Sequence, residues 1–236
     1  MTEWDRTVLV TGGTGALGGA VVRRFLEGGH RVAVTWRSQA ERDRTEAELR
    51  ESSDRLRFVH ADATDAGAVA AVVEEVGSVL GPIEVLAHLV GGWRGGQHIA
   101  EHSTETWDAM IRLNLWSAFV CARAVLPGML AADWGRLVFV SARTAVRPRP
   151  GDGAYAIAKS GVVVLAQVIA EETRDTGVTS NVVAPSIIDT PANRASIGGD
   201  PSRWVPPAHL AEAIAFLASE AAGQLRGAFL PVYGSA

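Results

Sequence analysis

Short apolar runs alternate with longer amphipathic segments along almost the whole chain. A short apolar run between Gly, Pro or polar residues predicts a buried strand, and apolar residues three and four apart predict a helix. The predicted strands are 7–10, 31–35, 56–61, 85–90, 136–141, 178–184 and 228–232. The predicted helices are 16–27, 65–80, 104–130 with a candidate break near Pro127, 153–176 and 208–218. Another helix is indicated after Ser38, because Glu41 follows it in the capping-box pattern.

Strands that are apolar on both faces and alternate with helices are typical of a parallel sheet covered on both sides. We therefore predict an α/β fold, with a doubly wound parallel sheet of about seven strands and helices on both faces. No linker interrupts the pattern, so residues 1–236 are expected to form one domain. The polar segment 186–206 is longer than an ordinary connection, and long loops are often functional. It is a candidate substrate lid.

Composition excludes several classes of protein. A hydrophobic content of 47% supports a buried core, and a net charge of −4 without a basic block argues against nucleic-acid binding. Residues 1–6 lack the order of a signal peptide, and the apolar stretch 162–170 is too short to span a bilayer. The single cysteine, Cys121, fits a reducing compartment. A cytoplasmic protein without membrane or metal binding is expected.

A glycine-rich turn follows the first strand and opens the first helix. Its sequence, Gly13-Thr14-Gly15-Ala16-Leu17-Gly18, matches the G-x-G-x-x-G pattern in which backbone amides and a helix N-terminus bind a pyrophosphate. The alternative is a tight turn without a ligand. We predict a dinucleotide site of the Rossmann type.

The end of the second strand selects between the two nicotinamide cofactors. No Asp or Glu lies between Arg31 and Gln39 to accept hydrogen bonds from ribose hydroxyls. Arg37 and Ser38 could instead bind a 2′-phosphate, with Trp36 near the adenine. These residues predict a preference for NADP(H) over NAD(H), unless Arg37 is only a solvated cation at the helix start.

Candidate acid–base chemistry lies in the helix 153–176. Tyr155 and Lys159 are four residues apart and therefore on one face, and Lys159 is the only lysine among 22 basic residues. A free phenol has a pKa near ~10, and a neighbouring ammonium is expected to lower it. This pair is the candidate catalytic centre.

These motifs together resemble the short-chain dehydrogenase/reductase family over essentially the whole chain. Thr11-Gly12, Ala16 and Gly18 follow its glycine motif with Ala16 in place of a glycine, and Tyr155 and Lys159 follow its Tyr-x-x-x-Lys motif. Asn181 to Ser186 resembles its Asn-x-Val-x-Pro-Gly. The resemblance implies that Tyr155 is the general acid/base and that Lys159 tunes it and holds the nicotinamide ribose. It also implies cofactor or catalytic roles for further residues: Gly12, Thr14, Gly15, Leu17, Asp62, Ala63, Gly91, Asn114, Pro185, Ile188 and Thr190. Asp62 could alternatively be a helix cap, and Asn114 a buried residue bonded to backbone.

The chain departs from the family at two motifs. Ala142 occupies the position of the family's substrate-polarising Ser, so Ser141 or Thr144 could replace it, or there is no such donor; Ser141 is taken as the candidate. The family's Asn-Asn-Ala-Gly is His88-Leu89-Val90-Gly91 here, and His88 is interpreted as a core histidine.

Two strings resemble dihydropteridine reductase: Gly91 to Gly96, and Asp189 to Arg194. Trp93 could stack on a flat substrate, Arg194 could bond its polar edge, and Trp204 could close over it; Trp93 could equally pack on its own loop. We predict an NADPH-dependent reductase of a ketone or aldehyde. The alternatives are a reductase of a C=N substrate, such as a quinonoid dihydropteridine or imine, and a non-catalytic dinucleotide sensor.

The helices 104–130 and 153–176 are apolar around much of their circumference. A helix of this kind is buried on more than one side. The residues of the first helix that cannot all face one sheet are Trp107, Met110, Leu113, Trp116, Phe119 and Val120. A homodimer or homotetramer is therefore expected.

Overall fold

A computed structural model describes residues 5–49 and 54–235. Within these residues, seven parallel strands form one sheet in the order β3-β2-β1-β4-β5-β6-β7. They are β1 (Thr7–Thr11), β2 (Arg31–Trp36), β3 (Leu56–His60), β4 (Val85–His88), β5 (Gly135–Val140), β6 (Val178–Pro185) and β7 (Phe229–Val232). Residues 1–4, on which part of the signal-peptide expectation rests, lie outside the described residues.

Helices cover both faces of the sheet. They are α1 (Ala16–Glu27), α2 (Gln39–Glu48), α3 (Ala66–Val79), α4 (Thr104–Ile111), α5 (Ser117–Ala131), α6 (Gly153–Glu172), α7 (Pro191–Ser196) and α8 (Pro207–Leu217). Successive strand residues point to opposite faces, so Leu9 enters the core with α3, α5 and α6, while Val8 and Val10 enter the core with α1 and α8. The predicted single-domain, doubly wound Rossmann fold is confirmed.

The chain reverses its direction of strand addition between β1 and β4. Thr11 at the end of β1 is in register with His88 at the end of β4. In open parallel sheets, ligands bind in the crevice at the carboxyl ends of the two strands that flank such a reversal. The fold therefore places the glycine-rich turn and the loop after β4 on either side of one crevice.

The long helical stretch after β4 is irregular in its middle. Residues Arg112–Trp116 form a π-helical turn between α4 and α5, and the Ser117 amide donates to the Arg112 carbonyl five residues back. The break expected near Pro127 is wrong, because Pro127 lies inside α5. π-turns of this kind are frequent at functional sites.

Segment 186–206 has its own structure. Ile188 forms a bridge with Val205, and the Asp189 and Val205 amides donate across this pair to Val205 and Ile187 carbonyls at 2.8 Å. Between them lie α7 and a 3₁₀ turn, Pro201–Arg203. The two ends of the candidate lid are thus tied together at the sheet.

Two helical stretches are long and apolar enough to cross a membrane by length and composition alone. They are Thr104–Ala131 and Gly153–Glu172, with mean hydropathy of 1.4 and 1.6. Cys121 and Val162, one from each stretch, are fully buried in the core on the same face of the sheet. Packing against the sheet buries one side of each stretch, while other apolar residues such as Phe119 and Val164 are exposed.

Candidate active site

A cleft of about 440 Å³ opens at the carboxyl ends of β1, β2 and β4. It gathers residues predicted from the glycine turn, the second strand and the loops after β3 and β4: Gly12, Thr14, Gly15, Ala16, Leu17, Gly18, Trp36, Arg37, Asp62, Ala63, Gly91 and Thr190. It also contains residues that the motifs did not indicate: Thr35, Glu41, Ala61, Leu89, Val90, Leu113 and Ala192. The cleft has the shape and position expected for a dinucleotide.

The glycine turn depends on the absence of side chains. A Cβ at Gly18 would lie 2.4 Å from the Gly13 carbonyl carbon and 2.5 Å from the Gly12 oxygen. Gly12 has a φ of +74°, a conformation that other residues rarely adopt. These contacts hold the first turn of α1 against the preceding loop, so its amides face the cleft. The turn therefore fits a pyrophosphate.

The outer end of the cleft carries charges of both signs. Arg37 lies 3.5 Å from Asp62, and an amide hydrogen bond from Thr64 lowers the pKa of Asp62. The cap of α3 is Asp65 rather than Asp62, so the helix-cap alternative for Asp62 is wrong. Ser38 caps α2 by accepting a hydrogen bond from the Glu41 amide, as the capping box predicts.

Glu41 is an acidic group of the cleft that the sequence argument missed. It lies two residues beyond Gln39, after the end of the second strand, and its Oε2 accepts a 3.4 Å hydrogen bond from Thr14 Oγ1. The helical turn after Ser38 brings its carboxylate back towards the glycine turn. Glu41 could be recognised as a cleft residue only once the position of α2 relative to the glycine turn was known.

Tyr155 and Lys159 lie on one face of α6. The Lys159 Nζ is 5.8 Å from the Tyr155 ring centre and donates to the Val140 carbonyl at 2.9 Å. Burial lowers the pKa of Lys159 to about 8, and burial together with the Asp152 charge raises the pKa of Tyr155 to about 12. The expected lowering of the tyrosine pKa is therefore absent. The phenol keeps its proton at neutral pH.

Asn114 is fully buried in the π-turn and clasps the loop after β4. Its Oδ1 accepts from the Gly92 amide at 3.1 Å, and its Nδ2 donates to the Gly92 and Met110 carbonyls at 3.0 Å. A Cβ at Gly91 would lie 2.8 Å from both Asn114 Oδ1 and Lys159 Nζ. The clasp thus holds a side-chain-free backbone segment directly against the lysine.

The candidate donors near Ala142 are not directed at a substrate. Ser141 is buried, and its hydroxyl donates to the Lys159 carbonyl at 2.8 Å. This bond commits its only proton, so the geometry does not support Ser141 as the substrate-polarising group. The Thr144 hydroxyl is buried without a partner among the described residues. Neither hydroxyl reaches the surface of the site.

The predicted substrate residues are dispersed. Trp93 is 59% exposed and lies against Gly95, at 3.2 Å from a Cβ placed there. Nε and Nη2 of Arg194 donate to the two Asp189 carboxylate oxygens at 2.6 and 2.7 Å, which neutralises the charge locally. Trp204 is only 5% exposed at the base of segment 186–206. The geometry therefore does not support Trp204 closing over a substrate.

The segment after β6 reaches the inner part of the cleft. Thr190 lines the cleft and accepts from the Asn193 amide at 3.2 Å, while Asn193 Nδ2 donates to the Ile188 carbonyl at 2.8 Å. Pro185 ends β6 and is buried. The cofactor roles that the family resemblance implies for Pro185, Ile188 and Thr190 stay predictions.

A family comparison matches residues 6–198 to the short chain dehydrogenase model. The chain belongs to this family. The 3-oxoacyl-[acyl-carrier-protein] reductase MabA of Mycobacterium tuberculosis is 33% identical over 98% of this chain and 92% of its own length. An acetoacetyl-CoA reductase of Allochromatium vinosum is 32% identical over 97% of both chains. The solved structure of ElxO with NADP bound superposes with a TM-score of 0.92 at 25% identity, over 98% of each chain.

Membership of this family makes the chain an oxidoreductase enzyme, so the non-catalytic alternative is wrong. A nicotinamide dinucleotide fits the cleft, since Gly18, where a Cβ would clash with the Gly12 and Gly13 backbone, lets the start of α1 lie close against the glycine turn that lines it. The glycine turn would hold the pyrophosphate; Trp36 and Asp62 line the cleft, and their contacts with the adenosine stay a prediction. The resemblance to dihydropteridine reductase stays a prediction.

Proposed function

We propose that this enzyme uses NADPH to reduce a carbonyl compound, with Tyr155 as the general acid. The observation that carries the proposal is the buried Lys159 ammonium, which lies beside the Tyr155 ring and against Gly91, a residue that lines the cleft. When bound, NADPH would supply the hydride. Tyr155 donates the proton that the developing alkoxide needs, and its raised pKa keeps that proton available at neutral pH.

Lys159 and Asn114 prepare the site for this step. The Val140 carbonyl accepts a hydrogen bond from the Lys159 ammonium and fixes it 5.8 Å from the centre of the Tyr155 ring, where it would hold the nicotinamide ribose, the role that the family resemblance implies. Asn114 holds the loop after β4 so that Gly91 packs against the ammonium. The chain thus supplies orientation and charge stabilisation around the reacting carbonyl.

Substitution of Tyr155 by Phe tests the proposal. Loss of the acid should lower kcat for carbonyl reduction by about 10²- to 10⁴-fold while NADPH binding is unchanged. The substrates are 3-oxoacyl thioesters, chosen because the MabA and acetoacetyl-CoA reductase relatives are named for them, together with small ketones and aldehydes. Equal turnover of the two proteins would contradict the role of Tyr155.

A C=N substrate is the second candidate, because Ala142 replaces the polarising serine and the hydroxyls of Ser141 and Thr144 are buried. A carbonyl oxygen would then have Tyr155 as its only side-chain donor from this region. A quinonoid dihydropteridine or a cationic imine needs less polarisation than a ketone. Higher kcat/KM for such compounds than for the oxoacyl panel would favour this candidate.

The preference for NADPH over NADH rests on Arg37, which is exposed at the rim of the cleft. Ser38 is close in sequence but caps α2, and Glu41 adds a carboxylate that opposes a phosphate. Replacing Arg37 by Ala should lower kcat/KM for NADPH by about tenfold to a hundredfold and leave that for NADH unchanged. Glu41→Gln is the matched variant and should improve NADPH use. Unchanged discrimination in Arg37→Ala would contradict the assignment.

A further inference from the structure

A buried histidine connects the two halves of the site. His88 at the end of β4 is 2% exposed, and both of its ring nitrogens have partners. Nδ1 is 2.8 Å from the Thr11 hydroxyl at the start of the glycine turn, and Nε2 is 3.2 Å from the Ser117 hydroxyl at the start of α5. One side chain thus bridges the dinucleotide turn and the helix that carries Asn114.

The direction of these hydrogen bonds follows from a third one, which the Ser117 hydroxyl donates to the Leu113 carbonyl. The Ser117 hydroxyl lies 2.6 Å from the Leu113 carbonyl, which can only accept, so the serine proton is committed there. The serine oxygen must therefore accept from His88, and Nε2 carries the proton. In the neutral ring Nδ1 is then bare and accepts from the Thr11 hydroxyl. The series of hydrogen bonds therefore runs from Thr11 through His88 and Ser117 to the Leu113 carbonyl.

The last hydrogen bond of this series, from Ser117 to Leu113, explains how the π-turn is stabilised. The Ser117 amide donates to Arg112 five residues back, instead of to Leu113 four residues back as in an α-helix. The serine hydroxyl donates to the Leu113 carbonyl that this amide leaves. Asn114 is the next residue, and its amide clasps Gly92. Displacing Leu113 would therefore displace the clasp.

We propose that His88 is a positioning residue, which holds the dinucleotide turn through Thr11 and the Asn114 turn through Ser117. The ring acts as a neutral imidazole protonated on Nε2. It touches neither the cleft nor a reacting atom. This proposal rests on the proposed function only where turnover is measured, since cofactor binding and the position of the ring proton are independent of it.

Substitutions at Thr11 and at Ser117 can separate the effects of the two ends of this series of hydrogen bonds. Ser117→Ala should lower kcat by about tenfold to a hundredfold, because the π-turn loses its support, and should change the dissociation constant of NADPH less than Thr11→Val does. Thr11→Val should weaken NADPH binding and change kcat less. His88→Leu should do both, and adding Ser117→Ala to it should lower kcat no further, because the two residues act in one chain. His88→Asn, which restores the amide of the family motif at this position, should recover part of the NADPH affinity.

The control is Thr7→Val, at the other end of β1, where a buried threonine hydroxyl donates to the Leu80 carbonyl at 2.8 Å. It should lose stability to a similar degree without changing kcat or NADPH affinity. If no tested compound is reduced, NADPH affinity and nitrogen NMR of histidine-labelled protein decide the proposal. The His88 signal, identified by its absence in His88→Asn, should show a protonated Nε2 and a bare Nδ1. A proton on Nδ1, or unchanged NADPH affinity in His88→Leu together with unchanged kcat in Ser117→Ala, would overturn it.

Discussion

At the scale of single residues, Lys159 shows how burial and chemistry are connected. It is the only lysine of the chain, it is 4% exposed, and burial lowers its pKa from 10.5 to about 8. An arginine would carry a rigid, permanently charged fork into the same space. Position 159 therefore needs a compact ammonium that can remain charged near neutral pH in a buried site.

The lowered pKa of Lys159 predicts a specific pH dependence of stability. Between pH 8 and 10.5 the unfolded chain binds more protons at this residue than the folded chain, so the free energy of unfolding rises with pH. Relative to Lys159→Met, the wild type should gain about 2 kcal/mol between pH 7 and 9.5. Urea unfolding of both proteins at these pH values measures the difference. A constant difference would show that the ammonium is not buried as described.

His88 predicts a pH dependence of stability on the acidic side of neutrality. Burial, aided by the charge of Lys159, lowers the pKa of His88 from 6.5 to about 3. Below pH 6.5 the unfolded chain takes up a proton that the folded chain does not, so stability falls as pH falls. Between pH 7 and 5 the wild type should lose about 2 kcal/mol more than His88→Asn. Parallel stability curves for the two proteins would contradict a neutral buried imidazole.

Site residues whose position follows from their spacing in the sequence could be predicted. Residues whose role depends on a hydrogen-bond partner distant in the sequence could not. Tyr155 and Lys159 were recognisable because a helix brings positions four apart together. The Ser141 hydroxyl donates its proton to the Lys159 carbonyl. This bond could not be predicted without knowing how close α6 lies to the end of β5. Glu41 enters the cleft only because α2 folds back over the glycine turn.

At the scale of elements, α1 allows a matched test of the glycine turn. Gly18→Ala places a Cβ within 2.5 Å of three backbone atoms, so the turn must move and NADPH binding should be lost. Gly19→Ala, one residue later in the same helix, meets nothing within 4 Å. It should bind NADPH normally and gain up to about 1 kcal/mol of stability from helix propensity. Titration of NADPH fluorescence and thermal unfolding check both variants. Normal binding by Gly18→Ala would contradict the packing described.

Element boundaries were predicted well where local signals exist. The helix 16–27 was predicted with the same bounds as α1, and the capping box placed the start of α2 after Ser38. The π-turn was missed, because its stabilising bonds come from His88 at the end of β4 and Gly92 in the loop that follows, both distant in sequence. Pro127 suggested a break, but it lies inside α5, where its neighbours Val125 and Met129 are buried.

At the scale of the whole molecule, α5 and α6 present an exposed apolar face. Its members are between 36% and 56% exposed: Trp116, Phe119, Ile157, Val164 and Val168. Exposed apolar side chains at helical spacing, as at Ile157, Val164 and Val168 on α6, are typical of a subunit interface. The predicted homodimer or homotetramer, like the cytoplasmic location, stays a prediction.

A charge placed on this face tests the predicted oligomer. Val164 is the most exposed residue of the apolar face, and Val164→Glu should shift sedimentation towards a monomer because the interface would have to bury an unpaired carboxylate. Val79→Glu, a similarly exposed position on α3, is the control and should leave the assembly unchanged. A monomeric wild type would contradict the prediction.

The most direct test of the proposed chemistry is single-turnover oxidation of NADPH by the wild type and by Tyr155→Phe, with saturating substrate from the oxoacyl and C=N panels. Fluorescence titration in the same samples measures NADPH affinity. The proposal predicts equal affinity and a rate about 10²- to 10⁴-fold lower in the variant. Equal rates in the two proteins would contradict Tyr155 as the proton donor.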